Sequence, residues 1–158
     1  RTSVSKYFEN EEAELTPRST GILLHRAFEN AITREDIYTA LEDMVKDGTL
    51  KSKDVAELKQ KITSMLDNTV AGEWFDGSWS NLYRERNIIR PKESSKRPDR
   101  VLTRGNEAVI VDYKFGKETD DHHNKMKEYI ENVRSMGFTS VKGYLWYVPK
   151  GKVAEIKN

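Results

Sequence analysis

The N-terminal part of the chain repeats apolar residues at helical spacing. Residues 1–17 are polar and acidic and end at Pro17, so we expect an N-terminal segment that does not need to pack. A helix is then predicted over residues 20–31, with Thr20 as its N-cap. His25 and Glu29 lie one turn apart in this helix and share a face. Its apolar stripe consists of Ile22, Leu23, Ala27, Phe28 and Ile32.

Two more helices are predicted before residue 70. The second follows Thr33, because Asp36 completes a capping-box pattern and Gly48 supplies a C-terminal cap. The third helix begins at Ser52. Its apolar face consists of Val55, Leu58, Ile62, Met65 and Leu66.

The pattern changes to β-strands after Ala71, where aromatic and β-branched residues become frequent. A tight turn at residues 104–107 joins two of these strands, and an amphipathic helix over residues 120–136 ends at Gly137. Helices followed by strands and a further helix predict an α/β fold. The predicted strands cover residues 82–90, 98–103, 108–114, 141–148 and, as a short edge strand, 153–156.

Composition and charge exclude several classes of protein. The chain has 158 residues, 36% hydrophobic and 34% charged, which is typical of one folded domain. It has no cysteine, which excludes a disulfide framework and a thiolate metal cage. No apolar run approaches the roughly 18 residues that a membrane helix needs. The formal net charge is only +1, so local patches must recognise any anionic partner.

Two segments joined by the tight turn carry the candidate chemistry: Arg-Pro-Asp-Arg at residues 97–100 and Asp-Tyr-Lys at the end of an apolar strand. Side chains alternate between the faces of a strand, so Asp112 and Lys114 project from one side and Tyr113 from the other. The hairpin register can bring Asp99 across to Asp112. Two carboxylates in a half-buried site favour Mg²⁺ or Mn²⁺. Lys114 can then orient or deprotonate a metal-bound water, or stabilise charge on a phosphate.

Other interpretations of these residues were weighed. An aspartate beside a lysine at the end of an apolar strand is also typical of a solvated strand terminus. The Pro98-Asp99 element, thirteen positions before Asp112, makes a functional site the favoured interpretation. The Asp-Asp-His-His run at residues 120–123 has the composition of a metal site, but acidic residues suit a helix N-terminus, so a capped helix start is favoured there.

A local basic excess surrounds the hairpin, although the whole chain is nearly neutral. Between residues 84 and 117, ten basic residues stand against five acidic ones. The excess is compatible with a DNA backbone that approaches the site and equally with a solvated hairpin surface.

Together these motifs resemble the PD-(D/E)XK nuclease superfamily. Within it, the chain is similar to the RecB-like nuclease domain at the C-terminus of AddA- and RecB-type helicase-nucleases. The run STGILLHRAFE at residues 19–29 is similar to the opening helix of that family. The resemblance spans residues 20–148 and implies a restriction-endonuclease-like α/β core, with a small mixed β-sheet flanked by helices and with extra N-terminal helices. We expect a helical part over residues 18–70 and a catalytic core over residues 71–158.

The resemblance also implies roles for individual residues. Lys114 corresponds to the catalytic lysine, which acts with Asp112 and Asp99. The implied metal ligands are His25, Asp99, Asp112 and the backbone carbonyl of Tyr113. Supporting or DNA-contacting candidates are Glu85, Glu29, Arg97, Lys125 and Tyr129; Lys125 stands where the family usually has a glutamine, four residues before the matching tyrosine.

The implied cofactor is Mg²⁺, with Mn²⁺ as a substitute, and no iron–sulfur cluster is expected because its cysteines are absent. The resemblance implies a deoxyribonuclease that processes double-strand breaks for recombinational repair in the bacterial cytoplasm. It favours an exonuclease, although the residues themselves do not distinguish exonuclease from endonuclease. The chain begins at Arg1 rather than at methionine, so we expect a piece of a longer helicase-nuclease.

The expected partners are DNA, the remainder of the parent chain and a second subunit, with no membrane. A helicase would deliver the DNA as single-stranded ends. Two alternatives stay open: a catalytically silent DNA-binding or scaffolding domain of the same fold, and a nuclease of the same superfamily that acts on branched DNA or RNA.

Overall fold

The computed structural model describes residues 15–84 and 97–158, and the chain divides into two units. The first unit ends at Gly77 and is helical, whereas the second begins at Ser78 and contains a five-stranded mixed sheet. The prediction of a mixed α/β protein is therefore confirmed. Among the described helices, none is long and apolar enough to cross a membrane.

In residues 15–77, the first unit contains three α-helices and one 3₁₀ helix: α1 at Pro17–Glu29, α2 at Arg34–Lys46, α3 at Ser52–Asn68 and the 3₁₀ helix η1 at Val70–Phe75. Helix α1 begins earlier than predicted. Thr16 is its N-cap, Ser19 completes a capping box, and Pro17 occupies the first turn, where its missing N–H costs nothing. Residues 1–14, most of the predicted N-terminal segment, lie outside the described residues.

Local signals place the other two helices where they were predicted. The Asp36 carboxylate accepts from the Thr33 N–H at 3.0 Å, and Gly48 adopts a positive φ of 82° after α2. In the first predicted stripe, Ile22 and Ile32 are exposed, so that part of the stripe was wrong. The buried side chains of the three α-helices include Leu23, Leu24, Ala27, Phe28, Ile37, Leu41, Met44, Leu58, Ile62, Met65 and Leu66.

Five strands form the sheet of the second unit, in the order of the sequence: β1 at Asn81–Arg84, β2 at Arg100–Arg104, β3 at Glu107–Lys114, β4 at Ser140–Tyr147 and β5 at Lys152–Ile156. Strands β3 and β4 are parallel, and the other neighbours are antiparallel. Helix α4 at Asp120–Ser135 makes the crossover between the parallel strands. Residues 85–90 of the first predicted strand lie outside the described residues.

A two-residue turn closes the β2–β3 hairpin. Gly105 has a φ of 54°, the left-handed conformation that glycine adopts without steric cost, and it stands first in the turn, as a type II′ turn requires. Arg104 then pairs with Glu107, and Arg100 pairs with Val111 at the other end of the ladder. The turn thus determines which residues face each other at the open end of the hairpin.

Helix α4 packs on one face of the sheet, and Gly143 in β4 allows its close approach. A Cβ atom at Gly143 would lie 2.6 Å from Met126 Sδ and 2.8 Å from Ile130 Cδ1, both on α4. The cluster between helix and sheet consists of Val101, Ala108, Ile110, Met126, Tyr129, Ile130, Val133, Val141, Leu145, Tyr147 and Ile156.

Replacing Gly143 with alanine should lower the free energy of unfolding by about 1–3 kcal/mol, because the added methyl group overpacks a buried contact. Urea denaturation of the purified chain measures the change. The matched control is Gly116→Ala, because a Cβ there meets nothing within 4 Å. Equal unfolding midpoints for the two variants would contradict the close packing of α4 on β4.

Candidate functional site

Two aspartates, Asp99 just before β2 and Asp112 in β3, accept hydrogen bonds from backbone N–H groups at the open end of the β2–β3 hairpin. The Asp99 N–H donates to Asp112 Oδ1 at 2.8 Å, and the Tyr113 N–H donates to Asp99 Oδ2 at 2.9 Å. Asp99 lies one residue beyond the Arg100–Val111 pair, which places it across from Asp112. The predicted juxtaposition of the two aspartates is confirmed, and each carboxylate is held in a defined orientation.

Lys114 shares a face of β3 with Asp112. Its Nζ lies 3.5 Å from Asp112 Oδ2, and its side chain is 27% exposed. Between them, Tyr113 faces away, and its ring meets the edge of Trp146 at a centroid distance of 5.9 Å. The predicted alternation is therefore confirmed, and the ammonium group of Lys114 lies next to the Asp112 carboxylate.

Burial and mutual repulsion make the carboxylate pair difficult to ionise. Burial raises the pKa of Asp112 to about 7, and the neighbouring charge of Asp99 adds to the increase. Lys114 and the Asp99 N–H act in the opposite direction and lower the pKa, but they do not compensate. The site therefore carries more negative charge than its own residues neutralise, which favours a bound cation.

Metal-free protein should lose stability as the pH rises from about 4 to about 7, through the contribution of Asp112. A carboxyl group whose pKa is higher in the folded chain binds more protons folded than unfolded over this interval, so rising pH favours unfolding. The contribution is roughly 2–4 kcal/mol. Urea denaturation in a chelator should show this pH dependence in the native chain and its loss in Asp112→Asn.

Asp120→Asn is the control, because Asp120 is an exposed aspartate in the same unit. This variant should follow the native chain across the pH interval. If the native chain and Asp112→Asn changed in parallel instead, the carboxyl group of Asp112 would not be the group that titrates.

The donor atoms of the site fit a small, hard cation. Each aspartate accepts a backbone N–H with one carboxylate oxygen, and carboxylate oxygens are ligands that Mg²⁺ prefers. Over residues 15–84 and 97–158, no group of three or more His, Cys, Asp or Glu side chains gathers in metal-binding geometry. Mg²⁺ commonly takes one or two carboxylates and completes its octahedral shell with water and phosphate oxygens, so Asp99 and Asp112 suffice to hold it.

Two arginines between residues 84 and 117, the region of the basic excess, make contacts within the fold. Arg100 is 1% exposed, and burial lowers its pKa, as does the charge of Arg84 directly across the ladder. Arg104 lies 3.9 Å from the centre of the Trp79 ring and donates to Glu107 at 2.8 Å. Arg100 therefore does not reach the surface, whereas the side chain of Arg104 is 38% exposed, and both interpretations of the basic excess stay open.

The remaining predicted residues are spread over the chain. His25 and Glu29 are half-buried on α1 of the helical unit, and their roles stay predictions. Arg97 is half-buried just before Asp99, and Lys125 is half-buried on α4. Glu85 lies outside the described residues. Tyr129 is 6% exposed within the cluster between α4 and the sheet, so its ring packs there.

A hydrogen-bonded pair near the site was missed in the sequence. His122 Nδ1 lies 3.1 Å from the Tyr147 hydroxyl, and the ring centroids are 6.0 Å apart. Tyr147 ends β4 and pairs in register with Lys114, which ends β3. The predicted capped helix start is confirmed, because the Thr119 hydroxyl accepts from the His122 N–H at 3.3 Å.

Comparison with known proteins gave no match to a family model and none to a curated protein. The resemblance to nucleases therefore depends on the motifs at residues 97–100 and 112–114 and on helix α1. The carboxylates of Asp99 and Asp112, each held by a backbone N–H, are the feature that a proposed function has to explain.

Proposed function

We propose that this chain is a metal-dependent deoxyribonuclease that hydrolyses DNA phosphodiester bonds as a RecB-like member of the PD-(D/E)XK superfamily. The observation that supports the proposal most is a pair of anchored carboxylates beside a lysine. The Asp112 carboxylate accepts from the Asp99 N–H, and the Asp99 carboxylate accepts from the Tyr113 N–H. Lys114 Nζ lies 3.5 Å from Asp112 Oδ2. A stabilising role alone does not account for this arrangement, because the buried carboxylate of Asp112 and the half-buried carboxylate of Asp99 repel each other.

Each residue of the site has a proposed role. Asp99 and Asp112 hold Mg²⁺, and His25 and the Tyr113 carbonyl are proposed as further ligands. Bound Mg²⁺ supplies Lewis-acid polarisation of the phosphate and neutralises negative charge that develops during hydrolysis. Lys114 orients the attacking water through its Nζ and stabilises charge on a non-bridging phosphate oxygen. Its position 3.5 Å from Asp112 Oδ2 supports this role, because the ammonium group lies beside the proposed metal site.

The proposed biological setting follows from the resemblance. The chain acts as the nuclease domain of a bacterial helicase-nuclease that processes double-strand breaks, and a helicase portion delivers single-stranded ends to it. The nearly neutral net charge supports weak DNA binding by the chain alone, because few phosphates can be neutralised at once.

A second candidate is a catalytically silent domain of the same fold that binds DNA or braces a partner. It is favoured by the small number of side-chain ligands, since only two carboxylates meet at the site in the described ranges. The two candidates differ in one measurable property, which is Mg²⁺-dependent cleavage of DNA.

The test uses the purified chain with end-labelled single-stranded DNA, duplex DNA, branched DNA and RNA. We expect cleavage of single-stranded DNA with Mg²⁺ or Mn²⁺ and none in a chelator. Ca²⁺ should support binding but little hydrolysis, because its larger and looser coordination shell positions water poorly. Preference for branched DNA or RNA would identify another substrate, whereas DNA binding without cleavage under every metal condition would favour the silent domain.

A further inference from the structure

The His122–Tyr147 pair lies at the same end of the sheet as the carboxylate site, where β3 and β4 end. His122 belongs to the first turn of α4, and Tyr147 is the last residue of β4. Strands β3 and β4 are parallel, and Tyr147 is in register with Lys114. The side chains of residues in register on neighbouring strands project from the same face of a sheet, and their backbones lie about 5 Å apart. Lys114 and Tyr147 are therefore side by side at the end of these strands, and His122 is hydrogen-bonded to Tyr147.

The contact between the two rings is suited to orienting the imidazole. Tyr147 is fully buried, and His122 is half-buried. Burial raises the pKa of Tyr147, and the charge of Glu118 raises it further, so the hydroxyl keeps its proton and is able to donate. When the hydroxyl donates to Nδ1 of His122, the imidazole proton is on Nε2. An imidazole in this form donates from Nε2, the nitrogen that points away from Tyr147.

We propose that His122 binds a DNA phosphate oxygen next to the scissile phosphate and that Tyr147 is the positioning residue that orients its imidazole. The inference rests on the proposed nuclease function, because it assumes that the DNA backbone passes the carboxylate site. Lys114 meets the scissile phosphate, and His122 meets a phosphate further along the strand. A contact to a neighbouring phosphate contributes mainly to substrate binding, so its loss should raise KM and leave kcat nearly unchanged.

The chain offers a set of matched variants. In His122→Asn, the side-chain amide reaches only as far as Nδ1, so the contact to Tyr147 is imitated and the phosphate contact is lost. In His122→Gln, the amide reaches as far as Nε2 and imitates the phosphate contact. Tyr147→Phe keeps the buried ring and removes the hydroxyl. His123→Gln applies the same change to the adjacent histidine and is the control.

The measurements are KM and kcat for single-stranded DNA cleavage in Mg²⁺, and DNA affinity in Ca²⁺ by fluorescence anisotropy. We expect His122→Asn to raise KM and weaken DNA binding about tenfold, the usual effect of losing one hydrogen bond to a charged group. His122→Gln should recover part of this loss, and His123→Gln should match the native chain. Tyr147→Phe should raise KM less than His122→Asn, and should have no further effect when combined with it.

Other outcomes would overturn the inference. One is an unchanged KM and DNA affinity in His122→Asn. Another is a KM and DNA affinity closer to the native values in His122→Asn than in His122→Gln. This result would show that the contact of His122 with Tyr147 serves only the fold. A third is an undiminished effect of Tyr147→Phe in the His122→Asn background, which would show that Tyr147 acts independently of His122.

The test separates this inference from the proposed function. A native chain that binds DNA without cleaving it would refute the nuclease function, and the affinity measurements would still decide on His122. Normal cleavage with an unchanged KM in His122→Asn would refute the phosphate contact alone. A native chain that neither binds nor cleaves DNA would overturn both. Because His122 is only half-buried, its variants are expected to fold even if Tyr147→Phe does not.

Discussion

Replacing Asp112 with asparagine should reduce Mg²⁺-dependent DNA cleavage by about a thousandfold or more, while the chain remains folded. The amide keeps an oxygen that accepts the Asp99 N–H, so the hairpin contact seen at 2.8 Å is preserved. It removes one negative charge from the proposed metal site. Metal ions supply several kcal/mol of transition-state stabilisation, and each 1.36 kcal/mol corresponds to a tenfold change in rate.

Cleavage rates at saturating Mg²⁺ and calorimetric titration of Mn²⁺ measure the effect of Asp112→Asn. Both metal affinity and turnover should fall, whereas urea denaturation above pH 7 without metal should show a more stable chain, because the buried charge is gone. Asp120→Asn, with its exposed carboxylate on α4, should keep native activity. Unchanged turnover in Asp112→Asn would refute the metal-site assignment.

Replacing Lys114 with alanine should lower kcat by about 10²–10⁴-fold and leave metal affinity similar or higher. This range is typical for the loss of a group that moves a proton or orients the nucleophile. Removal of the ammonium group 3.5 Å from Asp112 Oδ2 relieves repulsion of a bound cation. Because Lys114 also lowers the pKa of Asp112, Mn²⁺ affinity must be measured well above pH 7, where Asp112 is ionised in both proteins.

The conservative change at the same position gives a sharper result. Lys114→Arg should restore little activity, because guanidinium is forked, bulkier and effectively never deprotonated. Lys117→Ala, three residues further along and exposed, is the matched control and should retain activity. If Lys114→Ala lost metal binding as completely as Asp112→Asn, or kept full activity, Lys114 would be structural and the proposed mechanism would need another base.

Local patterns predicted most of the helices and strands, because their signals lie within a few residues. The Thr33–Asp36 cap and Gly48 bounded α2 correctly. The start of α1 was predicted too late, since proline occurs both before helices and in their first turn, and Pro17 was assigned to the preceding segment. Ser19 in the capping box was the signal that distinguishes the two cases.

Charge along the sequence did not show which arginine side chains reach solvent. Arg100 and Arg104 contributed to the basic excess, but one is buried and the other stacks on Trp79. The sequence shows which residues are charged, but packing decides whether a guanidinium reaches solvent. The number of basic residues in a segment therefore does not give the number that can contact a phosphate.

The sequence by itself determined the carboxylate site. A two-residue turn sets the register of β2 and β3, and strand alternation places Asp112 and Lys114 together, so Asp99 and Asp112 were predicted to meet. Only the tertiary structure decided that Tyr147 and His122 lie at the same end of the sheet as the carboxylate site. The register of two parallel strands joined by a helix depends on how that helix packs on them. For β3 and β4 it depends on the packing of α4 against Gly143, which no local pattern specifies.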